Sequence, residues 1–380
     1  MILGVWGLLA LPGLCIWAII ALLPWRPWSI RETLDADTGA MTGGDLSRIT
    51  VLVPARNEAD VINHALRGLA AQGKGLKIIL IDDQSADQTV AIAHRANLTG
   101  LKIVHGQPLP ESWSGKLWAL EQGRTEITTE LVLLLNADIL LFPGTLHALL
   151  QKLDHDQLDL VSLMALLNMQ GYWGKLLIPA FIFFFKLLYP FGLSNSPAYR
   201  VAAAAGGCIL VKKSLLDRIG AFRSLGSALI DDCALARKVK DSGGRTWLGL
   251  THAAISLRPY HKLMSIWDMV ARSAYTQLHY SPALLFLCTA LMTAAFLLPL
   301  TATLFLEPVG LATVSLMYLC YLPTLRYYGI HQLWGCLLPV IGILYLFMTW
   351  SSAWRHLGMR GARWKGRSYA MTAGKDCTFQ

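Results

Sequence analysis

Ile49-Thr-Val-Leu-Val-Pro-Ala-Arg-Asn-Glu58 opens the stretch whose reading decides the fold. Ile49 to Val53 is a short β-rich run. Ala59 to Ala71 then has helical spacing of its apolar residues, and Leu76 to Ile81 is a second strand. Asp87 to Ala96 reads as a helix, Leu101 to Val104 as a third strand, Ser114 to Glu126 as a helix and Leu131 to Leu135 as a fourth strand. Strands that alternate with helices predict an α/β domain with a mostly parallel, doubly wound sheet. Such sheets bind ligands in the loops after the strand C-termini.

The flanks have a different texture. Of the 380 residues, 54% are hydrophobic and 15% charged, against about 25% charged in an average soluble domain. Residues 1–28 open with 25 residues that carry no charged side chain and end in Trp25-Arg-Pro-Trp28. It lacks the basic start and small-residue cleavage site of a signal peptide. It therefore predicts a retained transmembrane anchor with its aromatic belt and Arg26 at the inner interface. Residues 29–47 read as a linker, and 48–260 as the α/β domain. Within that domain, 171–193 is an apolar segment interrupted by Lys175, Pro179, Lys186 and Pro190. It reads as a helix in the membrane interface rather than a span. Residues 261–281 read as an amphipathic interface helix, 282–354 as C-terminal transmembrane helices and 355–380 as a basic cytoplasmic tail. The net charge of +9 fits basic flanks on anionic lipid better than nucleic acid, for which no motif is present. The seven cysteines show no CxxC pair and fit a reduced compartment. An outside N-terminus and four full spans would put the basic tail outside, against the positive-inside rule. The weakest candidate for a full crossing is 309–325, at only about 17 residues.

Three groups of carboxylates stand at loop positions after apolar runs that read as strands. Asp82 and Asp83 follow Lys77-Ile-Ile-Leu-Ile81, Asp138 follows Leu131-Val-Leu-Leu-Leu135, and Asp231 and Asp232 follow Gly226-Ser-Ala-Leu-Ile230. A single Asp in such a place is often a helix cap or turn residue. Three groups at the ligand edge of one sheet suit a divalent cation and a general base.

At these residues the chain resembles the family 2 glycosyltransferases. Val51-Leu-Val-Pro-Ala-Arg-Asn-Glu58 is similar to their opening strand, and Ile81-Asp-Asp-Gln-Ser-Ala-Asp-Gln-Thr89 to their second nucleotide-binding loop. Trp113-Ser-Gly-Lys116 with Trp118-Ala-Leu120 resembles their Gly-Lys segment. Asn136-Ala-Asp138 stands in the place of their Asp-x-Asp motif, and Asp231-Asp-Cys-Ala-Leu-Ala-Arg237 in that of their acidic pair. Trp364-Lys-Gly-Arg367 is similar to a tail motif of ceramide-glucosyltransferase-like and carotenoid-glycosylating branches. As a whole the pattern resembles the hopanoid-biosynthesis-associated glycosyltransferases of bacteria.

The resemblance implies a GT-A fold, a nucleotide-sugar donor of the UDP type, an inverting transfer and an inner (plasma) membrane enzyme whose catalytic domain is cytoplasmic. A leaving nucleoside diphosphate gains negative charge, which a divalent cation, Mg2+ or Mn2+, offsets. Asp138 is the expected ligand, with Asn136 in place of the family's first Asp and Ala137 between them. Pro54, Ala55, Arg56, Glu58, Asp82, Asp83 and Lys116 are expected around the donor, with Arg56 and Lys116 as phosphate-binding cations. For Arg56 the competing reading is an ion pair with Glu58. Asp232 is the candidate general base, and Asp231 either raises its pKa or caps the following helix. Thr276-Gln-Leu-His-Tyr280 stands where processive relatives carry Gln-x-x-Arg-Trp. Thr276, Gln277, His279 and Tyr280 are therefore candidates for acceptor or phosphate contact, with His279 as a structural residue the competing reading. Apolar segments on both sides of the acidic pair point to a lipid acceptor, a hopanoid or another isoprenoid. Two other classes compete: a processive polysaccharide synthase, which needs more spans around a pore, and a catalytically silent membrane scaffold.

Overall fold

A computed structural model describes residues 4–36, 44–111, 113–226, 228, 230–357, 363–364 and 367–368. The chain divides into two compact units, one of residues 32–168 and 191–258, the other of 1–31, 169–190 and 259–380.

The first unit is built on an eight-stranded sheet. Its strands are β1 (Ile49–Ala55), β2 (Lys77–Asp82), β3 (Leu101–His105), β4 (Leu131–Leu135), β5 (Ile139–Leu141), β6 (Leu160–Leu166), β7 (Cys208–Lys212) and β8 (Thr246–Ser256), in the order β3-β2-β1-β4-β7-β6-β8-β5. The four strands expected from the sequence pair in parallel. The other half is mixed: β7 runs antiparallel to both β4 and β6, and β5 antiparallel to β8. The sheet is therefore less parallel than the alternation predicts.

All seven residues of β1 are buried, as expected of a strand covered on both faces. The two-residue period sends Val51, Val53, Leu131 and Leu133 to one core, with Ile62, Leu66 and Leu69 of the Ile62–Ala70 helix and Leu146 and Leu149 of the Thr145–His155 helix. It sends Leu52, Val132 and Leu134 to the other, with Leu117 and Leu120 of the Gly115–Arg124 helix and Leu235 and Val239 of the Asp231–Asp241 helix. Each fully buried Val or Leu here is worth about 1.5–3 kcal/mol. Gly123 lets its helix lie on the sheet, because a Cβ there would sit 2.7 Å from Cδ1 of Ile81. The segment expected to be a free linker is partly tied down: Leu34 N–H donates to the Leu250 carbonyl and Leu250 N–H to that of Glu32, each at 2.9 Å.

Two local expectations fail. Gly226 to Ile230, read as a strand, includes Ser227 and Leu229, which lie outside the described residues. Its other residues are not strand, and a 3-10 turn at Phe222–Leu225 comes before them. Asp231 is not a helix cap either. Ile230 occupies the cap position, and Asp231 and Asp232 are the first two helical residues.

The second unit is helical. Among the described residues, five of its helices are long and apolar enough to cross a membrane: Val5–Leu22, Gly171–Leu188, Pro282–Leu304, Pro308–Tyr327 and Gln332–Leu357. The stretch read as only 309–325 is a helix of 20 residues, so its length does not single it out as a non-crossing segment. The expected amphipathic helix at 261–281 is broken into Leu263–Ala271 and Ala274–Gln277.

Val5–Leu22 runs antiparallel to Pro282–Leu304. Trp6 stacks on Phe305 at 5.2 Å, the Gly4 N–H donates to Glu307 at 3.4 Å, and further along the Trp17 indole donates to the Ala295 carbonyl at 3.0 Å. That last bond has a covalent cause. Pro299 has no N–H to give the carbonyl four residues earlier, which is Ala295, and the indole satisfies it. A π-turn at Thr293–Leu297 marks the same irregularity. A Cβ at Gly13 would sit 2.3 Å from the Ala294 carbonyl oxygen, the close approach that small residues permit between apolar helices. The end of Gln332–Leu357 lies beside the start of Pro282–Leu304. Tyr275 N–H donates to Ser352 at 3.0 Å, Trp350 Nε1 to Thr289 at 3.0 Å, Arg355 pairs with Asp268 at 2.7 Å, and Tyr280 stacks on His356 at 4.5 Å. Of the Trp364-Lys-Gly-Arg367 motif, Trp364 and Arg367 fall in a short antiparallel pair, Arg363–Trp364 with Arg367–Ser368. Arg360, Lys365 and Gly366 lie outside the described residues.

Candidate active site

The C-terminal ends of β1, β2 and β4 share one edge of the sheet. Two loops there are stapled together. Arg56 donates to the carbonyls of Asp83 and Gln84, Asn57 N–H to Ser85 Oγ at 3.0 Å, Ala86 N–H to Asn57 Oδ1 at 2.8 Å and Ala59 N–H to Asp87 at 3.1 Å. Asn57 holds φ 51°, a left-handed conformation that Asn adopts more readily than most residues. Asp82 is the last residue of β2 rather than a loop residue; its Oδ1 accepts Ser85 N–H at 3.1 Å. Asp83 and Ala55 are buried. Arg56 thus donates to backbone carbonyls, and Glu58 pairs with Arg258.

A cleft at this edge is lined by Pro54, Lys116, Asn136, Gly206, Asp231 and Asp232, with Leu117, Phe222 and Leu235 at its apolar wall. The antiparallel register Leu135↔Cys208 brings Gly206 there, just before β7. Asp232 Oδ2 accepts the Gly206 N–H at 2.7 Å and Oδ1 the Cys233 N–H at 2.8 Å. Lys116 Nζ reaches Asp231 Oδ2 at 2.8 Å. A Cβ on residue 206 would lie 3.0 Å from Asp232 Oδ2 and 3.2 Å from Lys116 Nζ, so only glycine leaves the space between them open. Burial, and then the charge of Asp231, push the Asp232 carboxyl up to about 6; Lys116 and the two N–H groups oppose that shift. A carboxyl poised near 6 is ionised at neutral pH and still basic enough to take a proton. Burial also pushes the Cys233 thiol up, so it is an inert packing group.

Asp138 and Ala137 are buried. Asp138 Oδ2 accepts Ser256 Oγ at 3.0 Å and Arg258 Nε at 2.8 Å, and Arg258 Nη2 reaches Glu58 Oε1 at 3.4 Å. Asp138 Oδ1 is buried and accepts no hydrogen bond among the described residues. The sequence reading missed Arg258 and Ser256. They lie about 120 residues from Asp138, and the β5–β8 register Ile139↔Ser256 alone brings them together.

A divalent cation fits Asp138 in one respect: an unpartnered, buried carboxylate oxygen is the donor type that hard cations take. Among the described residues no group of three or more His, Cys, Asp or Glu has the arrangement of a metal site. An ion here would take most of its ligands from a donor's phosphates and from water.

Thr276, Gln277, His279 and Tyr280 belong to the helical unit. There Tyr189 OH donates to Gln277 Oε1 at 2.6 Å and Thr276 lies 3.1 Å from Tyr280 OH. His279 and Tyr280 take φ 49° and 55° in a tight turn.

Three findings from known proteins bear on this arrangement. Residues 50–220 match the family model "Glycosyl transferase family 2". A 4,4'-diaponeurosporenoate glycosyltransferase of Staphylococcus aureus is 31% identical over 91 residues, and the chain spans only 24% of that relative's length, using 24% of its own. A mannosyltransferase from Pyrobaculum calidifontis, solved with GDP-Man and Mn2+, superposes with a TM-score of 0.56 at 18% identity, over 93% of this chain and 99% of that one. At that identity the likeness concerns the fold, which is GT-A.

Proposed function

We propose that this chain, a family 2 glycosyltransferase through its residues 50–220, moves a sugar with inversion from a nucleoside-diphosphate donor to a hydroxyl of a membrane lipid. The observation that carries the reading is the Asp232 carboxylate. It is oriented by the N–H groups of Gly206 and Cys233 and faces a cleft that also holds Lys116 and Asn136. In an inverting displacement the acceptor hydroxyl attacks the anomeric carbon from the side opposite the leaving group. Asp232 takes the hydroxyl proton as the new bond forms. Asp231 and Lys116 hold each other in place beside it, and Pro54 and Asn136 border the donor. Asp82 and the stapled loops at Arg56 and Asn57 form the wall for the nucleoside. A divalent cation bound at Asp138 Oδ1 would offset the charge of the leaving diphosphate.

The acceptor class rests on the five apolar helices and on a relative named for 4,4'-diaponeurosporenoate. A hopanoid acceptor and a UDP donor are the finer form of the same proposal. The helical unit suggests which segments cross. Gly171–Leu188 connects β6 to β7, and those strands pair in one sheet, so its two ends lie on one side of the membrane. The start of Pro282–Leu304 and the end of Gln332–Leu357 lie together, so an even number of crossings separates them. Val5–Leu22, Pro282–Leu304 and Pro308–Tyr327 then cross, and Gln332–Leu357 returns to the side it left. In this reading three crossings would leave the N-terminus outside and the basic tail in the cytoplasm, in accord with the positive-inside rule. The segment that does not cross is then 332–357 instead of 309–325.

The test incubates membranes containing the protein, or its Asp232→Asn variant, with a panel of labelled UDP- and GDP-sugars, followed by mass spectrometry of extracted lipids. A glycolipid made by the wild type alone supports the reading. Transfer to water-soluble sugars with none to lipid removes the acceptor half of it.

A further inference from the structure

Arg258 sits at a place that needs a cation. Asp138 and Glu58 are the buried carboxylates of this cluster, with side chains 5% and 9% exposed, whereas the Arg258 side chain is 35% exposed. The guanidinium thus forms the solvent-facing cover of two buried anions. Buried charges require pairing, and Arg258 Nε and Nη2 supply it here. Its position is fixed from behind: Ser256, the last residue of β8, bonds the same Asp138 oxygen, and the Leu257 N–H donates to the Asp138 carbonyl at 2.8 Å. A planar fork of donors that is always charged is also the side chain best suited to a diphosphate.

Resting on the donor reading above, we propose that Arg258 is the resident counter-ion of the cation site. It keeps Asp138 and Glu58 paired while no donor is bound, and it then binds the donor diphosphate directly, so that donor binding keeps a component that needs no metal. Two consequences follow from charge alone. A fixed guanidinium beside Asp138 weakens the binding of a dication to the donor-free protein, since like charges repel. Loss of the guanidinium weakens the binding of a diphosphate most when no metal is present to share the charge.

The experiment uses the full chain in detergent. Mn2+ binding without nucleotide is measured by electron paramagnetic resonance, and UDP and GDP binding by calorimetry in EDTA and in saturating Mn2+. Arg258→Gln is expected to bind Mn2+ alone about tenfold more tightly than the wild type, and to lose about tenfold or more in diphosphate affinity in EDTA with a smaller loss in Mn2+. Arg258→Lys keeps the charge and loses the fork; it is expected to leave Mn2+ affinity unchanged and to lose part of the diphosphate affinity in EDTA. The lysine variant decides the matter if the glutamine variant fails to fold. Wild-type binding of UDP or GDP in Mn2+ with none in EDTA, or equal EDTA affinities for wild type and variants, overturns this role for Arg258 alone. Binding of neither nucleotide under any condition overturns the donor reading with it.

Discussion

The sheet-containing unit carries two clusters of the same make-up, two carboxylates and one cation, and their geometry differs. In the first, Lys116 pairs with Asp231, while Asp232 accepts two backbone N–H groups from Gly206 and Cys233 and opens on a cleft. In the second, Arg258 covers Asp138 and Glu58, and one oxygen of Asp138 is buried without a donor among the described residues. Adjacent like charges raise a carboxyl and make a base; a carboxylate paired from one side, with an acceptor oxygen to spare, makes a cation ligand. Composition is equal in the two clusters, and geometry alone separates them; the proposed roles of base and cation ligand follow that difference.

The contrast can be broken most sharply at Asp232. Asp232→Asn should lower transfer by about a hundredfold or more, while diphosphate affinity stays at the wild-type value in both Mn2+ and EDTA. Equal transfer by the variant would remove Asp232 from the reaction. Asp138→Asn should do the reverse: about a tenfold or greater loss of diphosphate affinity in Mn2+, and little change in EDTA, where Arg258 remains. Calorimetry under both conditions tells the two variants apart.

The pH profile sharpens the same contrast. A base must be unprotonated, so kcat/KM should rise with pH through about 6 and level off above it. Lys116 pulls the Asp232 carboxyl down, so Lys116→Gln should move that rise to higher pH. A profile of unchanged midpoint would show that Lys116 does not act on Asp232.

The smallest effect is on stability. The Asp232 carboxyl is raised on folding, so the folded chain holds its proton more tightly than the unfolded chain between about 4 and 6. Stability therefore falls as pH rises through that window, and the cost persists above it. Asp232→Asn should raise Tm at pH 7, a gain that disappears below about pH 4. Thermal unfolding at the two pH values measures it.

Part of this was legible in the chain itself. The runs Val51 to Val53, Ile78 to Ile81 and Leu131 to Leu135 named their strands because a strand buried on both faces must be apolar at every position. The carboxylates that follow two of those runs, Asp82 and Asp138, then fell at the ligand edge by connectivity. Apolar length alone named Val5–Leu22, Pro282–Leu304, Pro308–Tyr327 and Gln332–Leu357 as able to cross a membrane, whereas Gly171–Leu188, which is also long and apolar enough, reads in the sequence as an interface helix. The second half of the sheet was not legible. β5, β7 and β8 give short or ambiguous signals, and their order rests on registers, antiparallel for β4–β7 and β5–β8 and parallel for β6–β8, that link residues about 70 to 120 apart.

Sequence by itself therefore determined the class of the domain and the identity of Asp82, Asp138 and Asp232 as candidates, since periodicity and residue chemistry are local properties. Tertiary structure decided what each carboxylate faces. Gly206 came to Asp232 through the β4–β7 register, and Arg258 to Asp138 through the β5–β8 register. The ends of Pro282–Leu304 and Gln332–Leu357 came together through packing at Tyr275, Ser352 and Asp268. Those meetings depend on how distant elements bury their faces against one another, and no local pattern in the chain encodes that choice.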